Sequence, residues 1–364
     1  MKLLLLAGEE SGALYAKRIA EAVRVKNPSV EIRGYGDYGF ETSDLAVIGF
    51  FAVLRKIWFF LRVKRTMERA IDEWEPDVVC TVDYPGLNLR LAAYAKRRGI
   101  RAVHVVCPQV WAWKKGRIPK IEASLDRLCC FFPFEPALFK PGFAEFVGHP
   151  LVDEMGKEGL GIRDQGSGEK ILAVLPGSRM GEIEKHLPVL LEAVEKLQQE
   201  IPNLKVVIPA ANDKAYSKIS QTCSLFPDPC SLRVTHGEAR AALRDADAAI
   251  VASGTATLEA ALIGCPTVLV YKVNWLFAAI VRRLIKGVRH LGLANIIAEK
   301  AGTFCPMPEL LQEDFTAEKV LAAVRPLLAD PVANAVARQA LDDTMALLGS
   351  DGGAIGRILT CLGV

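Results

Sequence analysis

Short uncharged runs that stop at a turn of small residues and lead into a helical pattern recur along this chain, and that recurrence narrows the fold more than any other feature. Leu3 to Ala7, Val78 to Val82, Ile171 to Leu175 and Ala248 to Val251 carry no charge and end at "GEESGA", "DYPG", "PGSR" and "ASGTAT" respectively. Runs of this length and composition are strands buried on both faces, as in parallel sheets covered by helices. Strands are expected at 2–7, 30–34, 77–82, 101–106, 127–132 and 144–147, with helices at about 13–25, 56–74 and 88–98. Residues 156–169, "GKEGLGIRDQGSGE", are polar and glycine-rich and predict a linker. Alternation resumes with strands near 170–175, 204–208, 231–234, 247–251 and 266–270, and helices dominate after Thr316. The expected class is α/β, with two Rossmann-like doubly wound domains facing a cleft. The expected divisions are 1–155, 156–330 and a helical tail at 331–364.

Size and composition agree with that architecture. At 364 residues, the chain exceeds the usual single core, and 51% hydrophobic with 24% charged residues describes a globular protein. A net charge of +3 is too small to imply nucleic acid, so any basic surface must come from local clustering. The apolar run in "MKLLLLAGEE" is shorter than a signal-peptide core and is followed by two glutamates, which favours a first strand. No stretch of 18 apolar residues occurs, so no membrane-spanning helix is expected. The nine cysteines (80, 107, 129, 130, 223, 230, 265, 305 and 361) form no CxxC pair, which predicts reduced core thiols in a cytosolic protein rather than disulfides or a metal site.

Ligands of doubly wound sheets bind beyond the carboxyl ends of the strands, so the turns there are the candidate site. Pro176, Gly177, Ser178 and Arg179 separate a strand from the helical spacing of Glu182 to Val194 and put a guanidinium beside a helix N-terminus, which favours anions. In "AAIVASGTATLEAALIG", Ser253, Gly254, Thr255, Ala256 and Thr257 form a tight turn into a helix whose N–H groups suit a phosphate. Glu259 lies one turn further, where a carboxylate could bond a ribose diol; an ordinary N-cap with an acidic first turn is the alternative. Together these turns favour a diphosphate. Asp83 lies just beyond Val82 in a turn forced by Tyr84, Pro85 and Gly86, and a partly desolvated aspartate there can act as a general base; an Asx-turn is the alternative. Ser11 and Gly12 occupy the corresponding turn after the first strand.

Other signals are weaker. "GYGDYGF" at 34–40 contains a literal GxGxxG, but it follows the second strand and opens no convincing helix. "DAD" at 245–247 precedes a strand and is expected to be a solvated turn rather than a metal site. His149 in "VGHPLVDE" suggests a hinge or cleft hydrogen bond, and the five histidines show no metal spacing. No P-loop occurs. "VLRKIWFFLRVKRTMERA" (53–70) sets Trp58, Phe59, Phe60 and Leu61 among basic residues, and "NWLFAAIVRRLIKGVRH" (274–290) is similar; both suit a membrane interface, or a core helix with a wet basic face.

The motifs converge on a known family. "AGEESGALYA" (7–16), "DLAVIGF" (44–50), "PDVVCTVDYPGLN" (76–88), "PQVWAWKKGRIPKI" (108–121), "FPFE" (132–135), "VGHPLVDE" (147–154), "LPGSRMGEI" (175–183), "ASGTATLEAAL" (252–262) and "GLANIIA" (292–298) resemble, in this order, the lipid-A-disaccharide synthases. These are inverting glycosyltransferases of the GT-B fold. The resemblance implies that UDP-2,3-diacylglucosamine is the donor and 2,3-diacylglucosamine 1-phosphate (lipid X) the acceptor. It implies a β-1,6-linked disaccharide 1-phosphate of lipopolysaccharide biosynthesis in Gram-negative bacteria, with no required metal or other cofactor. Carried over by motif, Asp83 matches the proposed base, Arg179 a residue important for activity, and Ser253 to Glu259 the UDP-binding loop and helix. Ser11, Gly12, Trp111, His149 and Asn295 fall on the acceptor side or the cleft. The resemblance further implies a cytoplasmic protein, peripheral on the inner membrane. Its tail packs back on the N-terminal domain or is exchanged in a homodimer.

Against the family pattern, this sequence has Ala13 and Gly86 where aspartates are usual, and its 34–43 segment is shorter. These departures cluster near the expected acceptor side. The rival readings are another GT-B enzyme of UDP-sugars, with an altered acceptor or 2-epimerase activity, and a catalytically inactive UDP- or membrane-binding homologue.

Overall fold

A computed structural model describes residues 1–8, 10–41, 45, 57–155, 169–226, 231–274, 288–349 and 352–364. The linker expected at 156–169 and the second basic aromatic stretch therefore lie largely outside the described residues, as do residues 53–56 of the first stretch and Cys230. The chain separates into two compact units, Met1–Asp153 with Leu348–Val364, and Glu154–Leu347.

The first unit contains β1 (Lys2–Ala7), α1 (Glu10–Lys26), β2 (Glu31–Arg33), α2 (Ile57–Trp74), β3 (Val78–Val82), α3 (Pro85–Arg97) and β4 (Arg101–Val105). It continues with α4 (Ile118–Ser124), β5 (Arg127–Cys130) and β6 (Ala144–Phe146), and the chain then passes to the other unit through α5 (Pro150–Met155). The sheet is parallel throughout, in the order β2-β1-β3-β4-β5-β6. The order reverses between β1 and β3, so this unit has its switch point there. β3 is buried at every position, as its apolar sequence requires. α2 turns Val63, Met67, Ala70, Ile71 and Trp74 inward, a helical spacing that leaves Arg62, Arg65 and Arg69 in water.

The second unit repeats the plan with β7 (Lys170–Leu175), α6 (Met180–Glu200), β8 (Leu204–Ala210), α7 (Asp213–Cys223), β9 (Leu232–His236), α8 (Ala239–Asp245), β10 (Ala248–Ala252), α9 (Thr255–Ile263) and β11 (Thr267–Tyr271). α10 (Leu293–Ala301), β12 (Glu309–Leu311), α11 (Ala317–Ala329) and α12 (Pro331–Ala346) complete it. Its parallel order is β12-β11-β10-β7-β8-β9, with the reversal between β7 and β10. Two such Rossmann-like units in one chain constitute the GT-B architecture.

Sequence-expected strands lie within two residues of the observed ones. Helices α1 and α3 start three residues earlier than the apolar spacing suggests, because each begins directly at its turn; α3 has Pro85 in its first turn, where a missing N–H costs nothing. The "DAD" expectation needs correction at Asp247. Its carboxylate is buried, accepts the Ile171 N–H at 2.8 Å and faces Lys170 at 3.5 Å, so it fastens the start of β7 rather than lying in a solvated turn. Asn334 of α12 donates to the Asp247 carbonyl at 2.8 Å and to that of Leu327 at 2.7 Å, tying the tail to the same edge.

The helical tail divides. α12 stays with the second unit, whereas α13 (Ala354–Leu362) packs on the first, burying Ile358, Leu359 and Leu362 against Leu3, Leu5, Ile19 and Val103. Asp153 accepts the Ala354 N–H at 2.7 Å and so caps this helix, while Arg101 donates to the Cys361 carbonyl at 2.8 Å. Removing the Ile358 side chain to the β-carbon should cost the first unit about 2–5 kcal/mol. This is measurable for Ile358→Ala as a lowered urea midpoint that does not vary with protein concentration. A loss that changes with concentration would assign these contacts to a second copy of the chain.

Candidate active site

In the first unit, the turn after β3 is built under strain. Asp83 and Tyr84 both adopt left-handed conformations, each with φ near 50°, which costs of order 1–3 kcal/mol per residue unless the surroundings enforce it. The buried side chain of Asn88, one turn into α3, supplies that enforcement. Its Nδ2 donates to the Asp83 carbonyl at 2.8 Å, the Val82 carbonyl at 3.1 Å and the Leu6 carbonyl at 3.2 Å, while its Oδ1 accepts from the Tyr35 hydroxyl at 2.7 Å. Three acceptors for two amide protons means that one proton is shared. The clamp joins the ends of β1 and β3 at the switch point. Tyr35 comes from "GYGDYGF", which forms a tight turn with Asp37 accepting the Gly34 N–H at 2.6 Å. Its tyrosine is buried, and burial pushes its hydroxyl pKa above the ordinary tyrosine range.

Asp83 itself is half-buried, and burial raises its carboxyl pKa; the Tyr84 N–H, donating to Oδ1 at 2.8 Å, partly opposes the shift. The β1–α1 turn closes on this carboxylate. A β-carbon at Gly12 would stand 3.5 Å from the Asp83 β-carbon, and one at Gly8 would collide with the Tyr84 ring at 2.5 Å. Gly8 is thus required by close approach. Ser11 lies in the first turn of α1.

In the second unit, a cavity of about 330 Å³ opens at the β7/β10 switch point, lined by Gly177, Ser178, Arg179, Glu182, Ser253, Gly254, Thr255 and Ala256, with residues from the end of β8. The two helix starts that face it differ. At α6, the Ser178 and Arg179 N–H groups donate to Glu182 Oε2 at 3.3 and 3.4 Å, and Arg179 Nη1 donates to Oε1 at 3.2 Å. The carboxylate of Glu182 thus occupies the position an anion would take at this helix terminus. α9 starts without a side-chain cap, at Gly254 with φ 157° and ψ −165°, a region only glycine enters readily. Its leading amides carry the positive end of the helix dipole. Arg179 remains 66% exposed and can exchange Glu182 for another anion.

His186, absent from the sequence candidates, braces this cavity from behind. It is fully buried, and with the proton on Nδ1 it donates to the Pro176 carbonyl at 2.7 Å and accepts the Lys272 N–H on Nε2 at 3.0 Å. Its helical spacing with Ile183 and Leu190 is that of an apolar face, and nothing local in sequence marks it as a clamp.

Several candidates stand elsewhere. Glu259 is not directed at the cavity: Arg240 binds its carboxylate through Nε at 2.9 Å and Nη2 at 2.8 Å, and also binds Glu154 at 2.6 Å. Thr257 is buried and turns its hydroxyl back to the Gly254 carbonyl at 2.8 Å. Asn295 holds the approach to β12, with its amide bonded to both backbone groups of Met307 and to Glu309, and it is fully buried. His149 is buried against Tyr15 and Phe131 and accepts the Leu151 N–H on Nδ1 at 3.2 Å; burial lowers its pKa to about 4. Trp111 is buried and donates its indole N–H to Glu135 at 3.1 Å.

Glu135, whose pKa burial raises to about 8, clusters with Cys107 and Cys130, all three offering ligand atoms within 4.8 Å of one another. This is the grouping among the described residues that could hold a metal ion. It has three donors, where closed structural zinc sites use four. Of the expected membrane residues, Trp58 is exposed at 78%, whereas Phe59 and Phe60 are half-buried. Phe59 packs edge-on to Phe40 and Phe60 at 6.0 and 5.6 Å, so helical rotation sends that pair inward.

The family model for lipid-A-disaccharide synthetase matches residues 3–349. A lipid-A-disaccharide synthase of Syntrophus aciditrophicus (strain SB) is 36% identical over 371 residues, covering 96% of this chain and 94% of the relative. That of Xylella fastidiosa (strain 9a5c) is 37% identical over 344 residues, covering 89% of this chain and 88% of the relative. Among solved structures, an S. aureus MnaA–UDP co-structure has a TM-score of 0.63 at 14% identity, covering 98% of this chain and 95% of that one. The calicheamicin glycosyltransferase CalG4 has a TM-score of 0.59 at 17% identity, covering 100% and 98%. These two share the fold alone. A family match across nearly the whole chain, with relatives more than one-third identical along most of it, makes this protein a member of the lipid-A-disaccharide synthase family.

Proposed function

We propose that this chain transfers 2,3-diacylglucosamine from its UDP-activated form to the 6-hydroxyl of 2,3-diacylglucosamine 1-phosphate, giving the β-1,6-linked lipid A disaccharide 1-phosphate and UDP. The observation that carries the reading is the cavity at the β7/β10 switch point, where an exposed arginine and an uncapped helix start converge on space fit for a diphosphate. Membership of the lipid-A-disaccharide synthase family supports this choice of sugar and lipid.

In this reaction the acceptor oxygen bonds to the anomeric carbon as the bond from that carbon to the diphosphate oxygen breaks, and attack from the opposite face inverts the centre. Asp83 takes the hydroxyl proton. Its half-buried position supports that role, because a carboxylate with a raised pKa is a stronger base. The negative charge that develops on the departing diphosphate is neutralised by Arg179 and by the leading amides of α9. When the diphosphate arrives, Arg179 leaves Glu182 for it. Ser178 and Gly177 form the floor of the turn, and Ser253 to Ala256 the opposite rim.

The protein works at the cytoplasmic face of the inner membrane, where both lipids reside, and Trp58 with Ile57 on α2 touches the bilayer. These two side chains are exposed beside a run of basic residues, the pattern of an interfacial helix. Among the described residues, no single helix is long and apolar enough to cross a membrane.

Asp83→Asn should lower kcat by on the order of 10²–10⁴-fold while leaving UDP affinity intact, as measured by UDP release and by titration calorimetry. An equal loss of both would remove Asp83 from the role of base. Arg179→Ala should weaken UDP binding about tenfold and slow turnover, and unchanged kinetics would take it out of the site. Trp58→Ser should reduce binding to anionic phospholipid vesicles, with folding stability changed by no more than about 0.5 kcal/mol. Undiminished vesicle binding would return α2 to a purely structural role.

A further inference from the structure

Two cavities in the first unit lie side by side along α3. One, of about 440 Å³, is walled by Ile57, Phe60 and Leu61 of α2 together with Tyr84 and Leu87. The other, of about 530 Å³, is lined by Arg90, Arg97, Arg117 and Lys120. Lys64, Gly86 and Arg90 line both, so an apolar compartment and a cationic one share a wall. Both volumes are in the range of small-molecule sites.

The charges are unbalanced. Glu68 is the one carboxylate lining either cavity, and it pairs with Lys64 at 2.6 Å. Arg90, Arg97, Arg117 and Lys120 form no ion pair among the described residues. Four like charges around one concavity repel one another and concentrate a positive field there, which an anion would relieve. A polyphosphate would leave the apolar half without purpose, and a neutral lipid would leave the cations unanswered. A phosphate monoester joined to a hydrocarbon chain matches both.

We infer that these cavities form the acceptor-lipid site: the 1-phosphate of the acylated sugar lies in the cationic cavity and one acyl chain in the apolar one. The inference rests on the proposed reaction and assigns it a site. Tyr84, which lines the apolar cavity, follows Asp83 directly, so an acceptor seated there has its sugar at the turn that carries the base. Ile57, 46% exposed, lines the same cavity next to exposed Trp58, which gives an acyl chain a route from the bilayer. Gly86, which lines both cavities, has open space where a β-carbon would stand.

The test uses the full chain in detergent micelles with UDP-diacylglucosamine and two acceptors, lipid X and 2,3-diacylglucosamine without the phosphate. The parent should prefer lipid X. Arg117→Gln/Lys120→Gln should raise the KM for lipid X about tenfold, leave kcat and UDP affinity unchanged, and remove most of that preference. Leu61→Trp, which fills the apolar cavity, should raise KM most for the longest acyl chains while the preference for phosphate persists. An undiminished phosphate preference in the double variant overturns the inference, and so does a loss of anionic-vesicle binding that leaves the preference intact, because the cations would then serve the bilayer. If the parent releases UDP with neither acceptor, the proposed reaction falls, and the site falls with it.

Discussion

The hydrogen bonds of one buried amide hold the strained turn of the first unit in place. Asn88 bonds to the carbonyls of Leu6, Val82 and Asp83, and so fixes the ends of two parallel strands and the strained turn between β3 and α3. Without that restraint, two successive left-handed residues, one an aromatic, would relax toward ordinary backbone. The amide is in turn oriented by Tyr35, whose hydroxyl donates to it from inside the core. A turn that looked like a weak nucleotide motif thus serves to position the amide that holds the Asp83 turn. The strained turn holds Asp83 half-buried at the carboxyl edge of the sheet, where burial raises its carboxyl pKa.

In the proposed reaction the second unit has the opposite task, the reception of negative charge. Its two helix starts at the switch point differ because one is already satisfied by Glu182 and the other is not. Glu182 keeps Arg179 in place and prevents an unbalanced cationic pocket. In the proposed reaction, a diphosphate would replace this one carboxylate with a more highly charged partner and meet the leading amides of α9 as well. His186 ties the β7 turn at Pro176 to Lys272 beyond β11 through opposite ring nitrogens.

Much of this was legible from sequence, and the limits have physical causes. Parallel strands buried on both faces are continuous apolar runs, so Val78 to Val82 and Ile171 to Leu175 could be located directly, along with the turns that follow them. Asp83 and the 177–179 and 253–256 turns stand out because small residues and a charge interrupt apolar pattern. Polar side chains whose partners are distant in sequence left no such trace. Asn88 meets Tyr35 across 53 residues, His186 meets Lys272 across 86, and Asp247 meets Ile171 across 76. Glu259 misled for the same reason: its place in a helix start suggested a ligand, whereas Arg240 on the neighbouring helix claims it. On α2, the aromatics at 58–60 looked alike in sequence, and helical rotation separated exposed Trp58 from the packed phenylalanines.

The account depends on Asp83 being a carboxylate whose basicity is raised by its surroundings. Carbonyl ¹³C NMR of aspartate-labelled protein, with the Asp83 signal identified by its absence in Asp83→Asn, measures that directly. The account predicts a protonation midpoint above the usual carboxylate range, so that the basic form is lost as pH falls through that raised value. A midpoint at or below an ordinary aspartate's would contradict it.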